Sequence, residues 1–176
     1  MASAVSAQQP SVPSVSWQQP CRGRFKCNVD AGFSTSKNRT GIGICVRDDD
    51  SAYVLAKTVS FDVVRPVRVG EALGLYNALG WLSVMQFDGV DFATDSKISY
   101  DAFHSHKDDV SEFGHIILAC KSLFSTHFTN SRVEFTRQQA NAAAHALAGE
   151  ATSLAILVIY FNVPRFINSI SFNEML

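Results

Sequence analysis

The chain has 176 residues, which suits one core of ordinary domain size and leaves no room for a second full domain. Nearly half of them (47%) are apolar, thirteen are Phe, and the formal net charge is −1. That balance excludes a disordered polyelectrolyte and a protein that attracts polyanions by bulk charge, so any contact with nucleic acid must be local, through a patch or a bound metal.

The opening segment, 1–23, is rich in Ser, Ala, Pro and Gln and lacks an apolar signal core, so it reads as a flexible lead-in to a protein that is not secreted. "RFKCNVDAGF" then alternates, with Phe25, Cys27 and Val29 on one face and Lys26, Asn28 and Asp30 on the other, the period of a strand. "TGIGICVRD" (40–48) and "YVLAKTVSF" (53–61), joined by the polar turn "DDDSA", predict two more strands and an antiparallel meander. The period changes over 68–86, where Leu75, Ala78, Leu79, Leu82 and Met85 form one helical stripe.

A strand over 89–95, polar helical sequence to about Lys107, a helix around 111–127, a strand over 131–137 and an alanine-rich helix from Asn141 to about Leu154 complete the domain, 24–155. The order βββ-α-β-α-α-β-α predicts a mixed five-stranded α/β sheet whose later strands, reached by helical crossovers, run parallel to the first. Residues 156–176 form a C-terminal extension that packs on the domain or trails it, with Pro164 and a short amphipathic piece. The apolar run "LAILVIYF" (154–161) is far shorter than the ~20 residues needed to cross a bilayer, so no membrane is expected. Cys21, Cys27, Cys45 and Cys120 have no CxxC spacing, which favours free thiols in a reducing compartment, nucleus or cytoplasm, over disulfides or zinc.

Ligands of open α/β sheets gather beyond the carboxyl ends of parallel strands. Asp30 and Asp95 both fall at such ends, and Glu71 lies one turn before Leu75, on the buried stripe of its helix. A buried carboxylate costs several kcal/mol without positive compensation. Three acids at one rim therefore suit a hard divalent cation that takes oxygen ligands and keeps several waters. Each acid has a plainer reading: Asp30 before Ala31-Gly32 suits a turn, Asp95 a helix N-cap, and Glu71 a first-turn acid favoured by the helix dipole.

The motifs "KCNVDAGF", "TGIGICVRD", "GEALGLYNAL", "FATDSK" and "RQQANAAAHALA", in this order over about 24–152, resemble the type 1 ribonuclease H family, and within it the plant subgroup related to the ribonuclease H modules of non-LTR retrotransposons. The resemblance implies a ribonuclease H-like fold with strand order 3-2-1-4-5, strand 2 antiparallel, and an endonuclease that cuts the RNA strand of RNA–DNA hybrids with two Mg²⁺ ions. It implies that the chain acts as a monomer and that its ancestral polyprotein carried a reverse transcriptase domain. By motif, Asp30, Glu71 and Asp95 match the first three metal-binding acids, and the place of the fourth is taken by His145. Contacts to the hybrid are implied around Ala31, Gly32, Gly70, Ser96 and Asn141, although Gly32 and Gly70 suit turn geometry equally.

Three departures bear on chemistry. An imidazole at His145 offers one nitrogen in place of carboxylate charge, so Mg²⁺ is expected to be held less tightly there and Mn²⁺ to be less affected. His145 lies off the Ala144–Leu147–Ala148–Ala151 stripe, so a surface histidine is the alternative to a metal or substrate role. The loop histidine of catalytically studied relatives is absent, and Arg137 stands near its place, able to pair with a phosphate but not to act as a base near pH 7. The segment 104–124 mixes Lys107 and Lys121 with Asp108, Asp109 and Glu112 and carries no marked positive field, so hybrid binding should be weak and salt-sensitive. Two functions follow as expectations: a metal-dependent hybrid nuclease weakened at His145, or a non-catalytic remnant that binds nucleic acid or protein through the same fold.

Overall fold

The computed structural model describes residues 16–173. The three predicted hairpin strands are β1 (Phe25–Ser34), β2 (Arg39–Arg47) and β3 (Tyr53–Phe61), each antiparallel to the next. The long helix α1 (Val67–Val84) crosses to β4 (Val90–Thr94), which lies parallel to β1 on its other side. Helices α2 (Lys97–His104) and α3 (Glu112–His127) then lead to β5 (Arg132–Phe135), parallel to β4. A 3-10 turn at Gln138–Ala140 opens onto α4 (Ala142–Ala151).

The expected order 3-2-1-4-5 is present, but the sheet has six strands, not five. The sixth, β6 (Val158–Tyr160), comes from the C-terminal extension and pairs antiparallel with Ala56–Thr58 of β3. Helix α5 (Arg165–Asn173) follows and packs on α4, burying Ile167 completely. Part of the predicted tail is thus structural: its run of β-branched and aromatic residues covers part of a strand that would otherwise be an unpaired edge.

Helices cover both faces of the sheet. One layer is α1 with α3, which bury Leu75, Leu79 and Leu82 against Val29, Ile42, Ile44 and Phe92. Each of those leucines, essentially inaccessible, contributes about 1.5–3 kcal/mol. Met85, expected on the same stripe, instead caps the C-terminal end of α1 and is exposed. The other layer is α4, whose Ala143, Ala144, Leu147, Ala148 and Ala151 are all buried. With both faces covered, the polar side of β1 is not a solvent side. Lys26 is buried and paired to Glu134 at 2.6 Å, Asn28 is buried within hydrogen bonds, and Asp30 is 3% exposed.

The lead-in also joins the fold in part. Residues 1–15 lie outside the described residues, but Trp17 is buried, with its ring 4.8 Å from Arg47 Cζ and 5.9 Å from Lys26 Nζ. A few residues on, the Arg24 guanidinium grips the buried Asp91 carboxylate through Nη2 at 2.5 Å and Nε at 3.0 Å, and Arg132 holds its other oxygen at 3.0 Å. Cys27, Cys45 and Cys120 are buried and Cys21 is exposed, and none of the four forms a disulfide among the described residues.

Helix α4 lies in close backbone contact with the hairpin β1–β2. A methyl group at Gly43 would overlap the Ala144 carbonyl and the Ala148 amide, and one at Gly41 would overlap the Ala148 carbonyl. The helix backbone rests directly on the strand backbone. Gly43 is also the residue paired with Asp30 across the β1–β2 ladder, so this contact sets the height of α4 above that aspartate. Substitution Gly43→Ala should therefore lift α4, lower stability by about 1–3 kcal/mol in urea denaturation, and move the denaturation midpoint with little change in slope.

Candidate metal centre

Asp95 directly follows β4, whereas Asp30 lies within β1, which runs on to Ser34 instead of ending at the aspartate as expected; since Val29 pairs in parallel with Thr94, Asp30 stands where the β1–β4 pairing ends, level with Asp95. Glu71 reaches that rim from the second turn of α1, not the first, so the helix dipole does not explain it. The neighbouring Gly70 is buried against the ring of Phe33 and the methyl of Thr40, which brings this part of α1 down onto the hairpin. One carboxylate oxygen from each of Asp30, Glu71 and Asp95 lies within 4.8 Å of the other two. Among the described residues no other group of three His, Cys, Asp or Glu side chains converges in this way.

These carboxylates are costly to ionise together. Burial pushes Glu71 up to about 9, with the charges of Asp30 and Asp95 adding to it. Burial likewise raises Asp30 to about 6, helped by Asp95 and opposed by its hydrogen bonds to His145 and the Ala31 amide. Asp95 is raised by burial and eased by hydrogen bonds, among them one from the Asn141 side chain. An all-oxygen donor set in which every acid is desolvated, and Glu71 is repelled by both aspartates, fits Mg²⁺ or Mn²⁺, whose charge would relieve all three at once.

His145 stands beside this group without joining it. Its Nδ1 lies 2.7 Å from Asp30 Oδ2, while the other Asp30 oxygen accepts the Ala31 amide at 2.8 Å. The ionised Asp30 carboxylate accepts the ring N–H, which leaves Nε2 as the nitrogen available to a metal or substrate on a side chain 57% exposed. The imidazole thus orients an acid and supplies no oxygen of its own.

The remaining expected residues fall into two sets. Ala31 serves the site through its backbone, whereas Gly32 lies under the Ala148 carbonyl of α4 and Gly70 under Phe33, so packing accounts for both glycines. Ser96, not Asp95, is the N-cap of α2: its hydroxyl accepts the Ser99 amide and donates to the Ser99 hydroxyl. Asp95 is therefore left for the rim. Arg137 is exposed just before the 3-10 turn. Asn141 is 1% exposed, and its amide donates to the Val29 carbonyl at 2.9 Å as well as to Asp95. The residue missed by sequence reasoning is Asn28, whose amide donates to Asn141 Oδ1 at 2.9 Å. Its signal was a polar side chain two positions before Asp30 on the same side of a strand that turns out to be buried on both faces.

A mixed sheet with this strand order, helices on both faces and acids where the pairing of the first and fourth strands ends defines an α/β ribonuclease H-like fold. The model of the reverse-transcriptase-like family matches residues 28–151, and the chain belongs to that family. No curated protein matches it in sequence. Among solved structures, RNase H1 from the halophilic archaeon Halobacterium salinarum NRC-1 superposes with a TM-score of 0.66 at 19% identity, over 74% of this chain and 98% of that one. LC11-RNase H1 in complex with an RNA/DNA hybrid gives 0.65 at 16% identity, over 74% and 97%. The prototype foamy virus protease-reverse transcriptase gives 0.59 at 13% identity, over 88% of this chain and 23% of that one.

The raised carboxyls have a direct consequence. Asp30 and Glu71 bind protons more tightly in the folded chain than in the unfolded one, so their contribution to stability is present below about pH 4–5 and is lost as pH rises through about 6 to 9. Without divalent metal, Asp30→Asn should be more stable than the parent at pH 8 by about 1–2 kcal/mol, and the difference should shrink toward pH 5. Urea denaturation in EDTA at pH 5, 6.5 and 8 measures it; equal stabilities at all three would show that the acids do not repel one another.

Proposed function

We propose that this chain is a divalent-metal-dependent nuclease that hydrolyses the RNA strand of RNA–DNA hybrids. The observation that carries this reading is the convergence of Asp30, Glu71 and Asp95 within 4.8 Å where the parallel pairing of β1 and β4 ends. Two further supports are the ribonuclease H-like fold and the hybrid held by one of the structures that share it. The reaction is in-line attack of water on phosphorus with departure of the 3′ oxygen. Mg²⁺ or Mn²⁺ held by the three acids would supply positive charge to the attacking and leaving oxygens.

The protein's own groups have separable tasks in this scheme. Asp30, Glu71 and Asp95 hold the cation. His145 fixes the Asp30 carboxylate through Nδ1, and Asn141 fixes Asp95. Arg137, exposed near the same end, would pair with a backbone phosphate, and the exposed part of the His145 ring is open to substrate. Recognition of RNA over DNA rests on contacts to the 2′-hydroxyl.

One observation favours the second reading, a binding module without catalysis: the position of a fourth acid is filled by an imidazole that supplies no oxygen to the group. The two readings separate in one assay. Purified protein with a labelled hybrid should cleave the RNA strand in Mn²⁺ at least as well as in Mg²⁺, and Glu71→Gln should lower the rate by about a hundredfold or more. Hybrid binding without cleavage in either metal would establish the binding module instead.

A further inference from the structure

A line of side-chain amides runs from the entry segment to the metal rim. The Trp17 indole N–H donates to Asn28 Oδ1 at 3.0 Å, Asn28 Nδ2 donates to Asn141 Oδ1 at 2.9 Å, and Asn141 Nδ2 donates to the Val29 carbonyl at 2.9 Å. That same Asn141 amide also bonds the Asp95 carboxylate. Trp17, Asn28 and Asn141 are all buried, with exposures of 6%, 4% and 1%, so water cannot replace a lost partner.

The line has a direction. An asparagine amide can turn over, exchanging its donor and acceptor ends, whereas an indole N–H can only donate. Trp17 therefore requires the Asn28 oxygen to face it, which turns the Asn28 nitrogen toward Asn141. Asn141 must then answer with its oxygen and send its own nitrogen to Val29 and Asp95. Reversed, Asn141 would set an amide oxygen against the Asp95 carboxylate and the Val29 carbonyl, acceptor against acceptor. Without the indole, the native orientation of Asn28 rests on the Asn141 oxygen at 2.9 Å and on the Ala140 carbonyl, 3.4 Å from its Nδ2 and a poor partner at that length.

We propose that Trp17 is a positioning residue of the metal centre: its indole N–H, acting through Asn28, reinforces the orientation of the Asn141 amide and so the placement of the Asp95 carboxylate. Residues 16–23 thereby belong to the working site even though they precede β1. The ring of Trp17 is held between Arg47 and Lys26 independently of its N–H, so Trp17→Phe removes the donor while keeping an aromatic ring in place. This proposal rests on the reading of Asp30, Glu71 and Asp95 as a metal site, and its test separates the two.

The experiment is a double-mutant cycle on the full chain, with Mn²⁺ affinity measured by calorimetry and by metal-dependent shift in melting temperature. Trp17→Phe should weaken Mn²⁺ about fivefold, the worth of one buried neutral hydrogen bond. In the Asn141→Ala background the same change should alter affinity by less than about twofold, because the line is already cut. A general loss of stability would weaken both backgrounds alike, and that result, or no effect of Trp17→Phe in the parent, overturns the proposal. If the parent itself binds no Mn²⁺, the metal reading fails, and the side-chain amide resonances of Asn141 then decide on the relay alone. They should shift in metal-free Trp17→Phe, and unmoved resonances overturn it.

Discussion

The rim of this molecule is set by how closely α4 can approach the sheet. Because Gly41 and Gly43 present no side chain to it, the helix backbone lies directly on β2, one pairing step from Asp30. That distance lets His145, at the start of the helix, reach the Asp30 carboxylate and lets Asn141, just before it, reach back to Val29 and Asp95. Alanines on the underside of α4 serve the same purpose from the other direction. A larger residue on either side would leave the hairpin and helix folded but would part the groups that meet at the rim.

Against this close packing stands a local conflict. Three carboxylates share one rim, and burial and mutual repulsion hold protons on Glu71 and Asp30 well above the ordinary range. Nothing in folding alone favours such an arrangement; a cation does. His145 relieves part of the repulsion from one side, and Asn141 and the Ala31 amide from the others. The site is therefore prepared by neutral donors and one imidazole, and among the described residues no lysine or arginine is seen paired to the acids.

How much of this could be read from the sequence depended on the range of the signal. The change from alternation to helical stripe placed α1, and Glu71 stood out because a glutamate on a buried stripe contradicts the pattern around it. The crossover rule predicted a mixed sheet whose later strands run parallel to the first, while the order 3-2-1-4-5 came from the family resemblance. Short or solitary features were harder. Three residues of β6 sit in an apolar run too brief for periodicity to separate strand from helix. Trp17 lies among Ser, Pro and Gln, where composition argues for a loose lead-in, and its burial depends on Lys26 and Arg47 flanking it from two strands. The division of labour between Asp95 and Ser96 was equally hidden, since either residue could cap a helix and only the fold shows that the serine does.

The addition of β6 also alters what the sheet offers to other proteins. Without it, the nine residues of β3 would present an unbroken row of amides and carbonyls, a template on which another chain could continue the sheet. With it, the outermost strand is three residues long, ends near Pro164, and covers Ala56–Thr58 in the middle of that row. Two short stretches of β3 remain on either side, neither long enough to hold a foreign strand in register. The C-terminal extension thus covers the middle of a strand edge of the kind that invites self-association, and because it is built from Val158, Ile159 and Tyr160 it does so with a segment that would itself be adhesive if left unpaired.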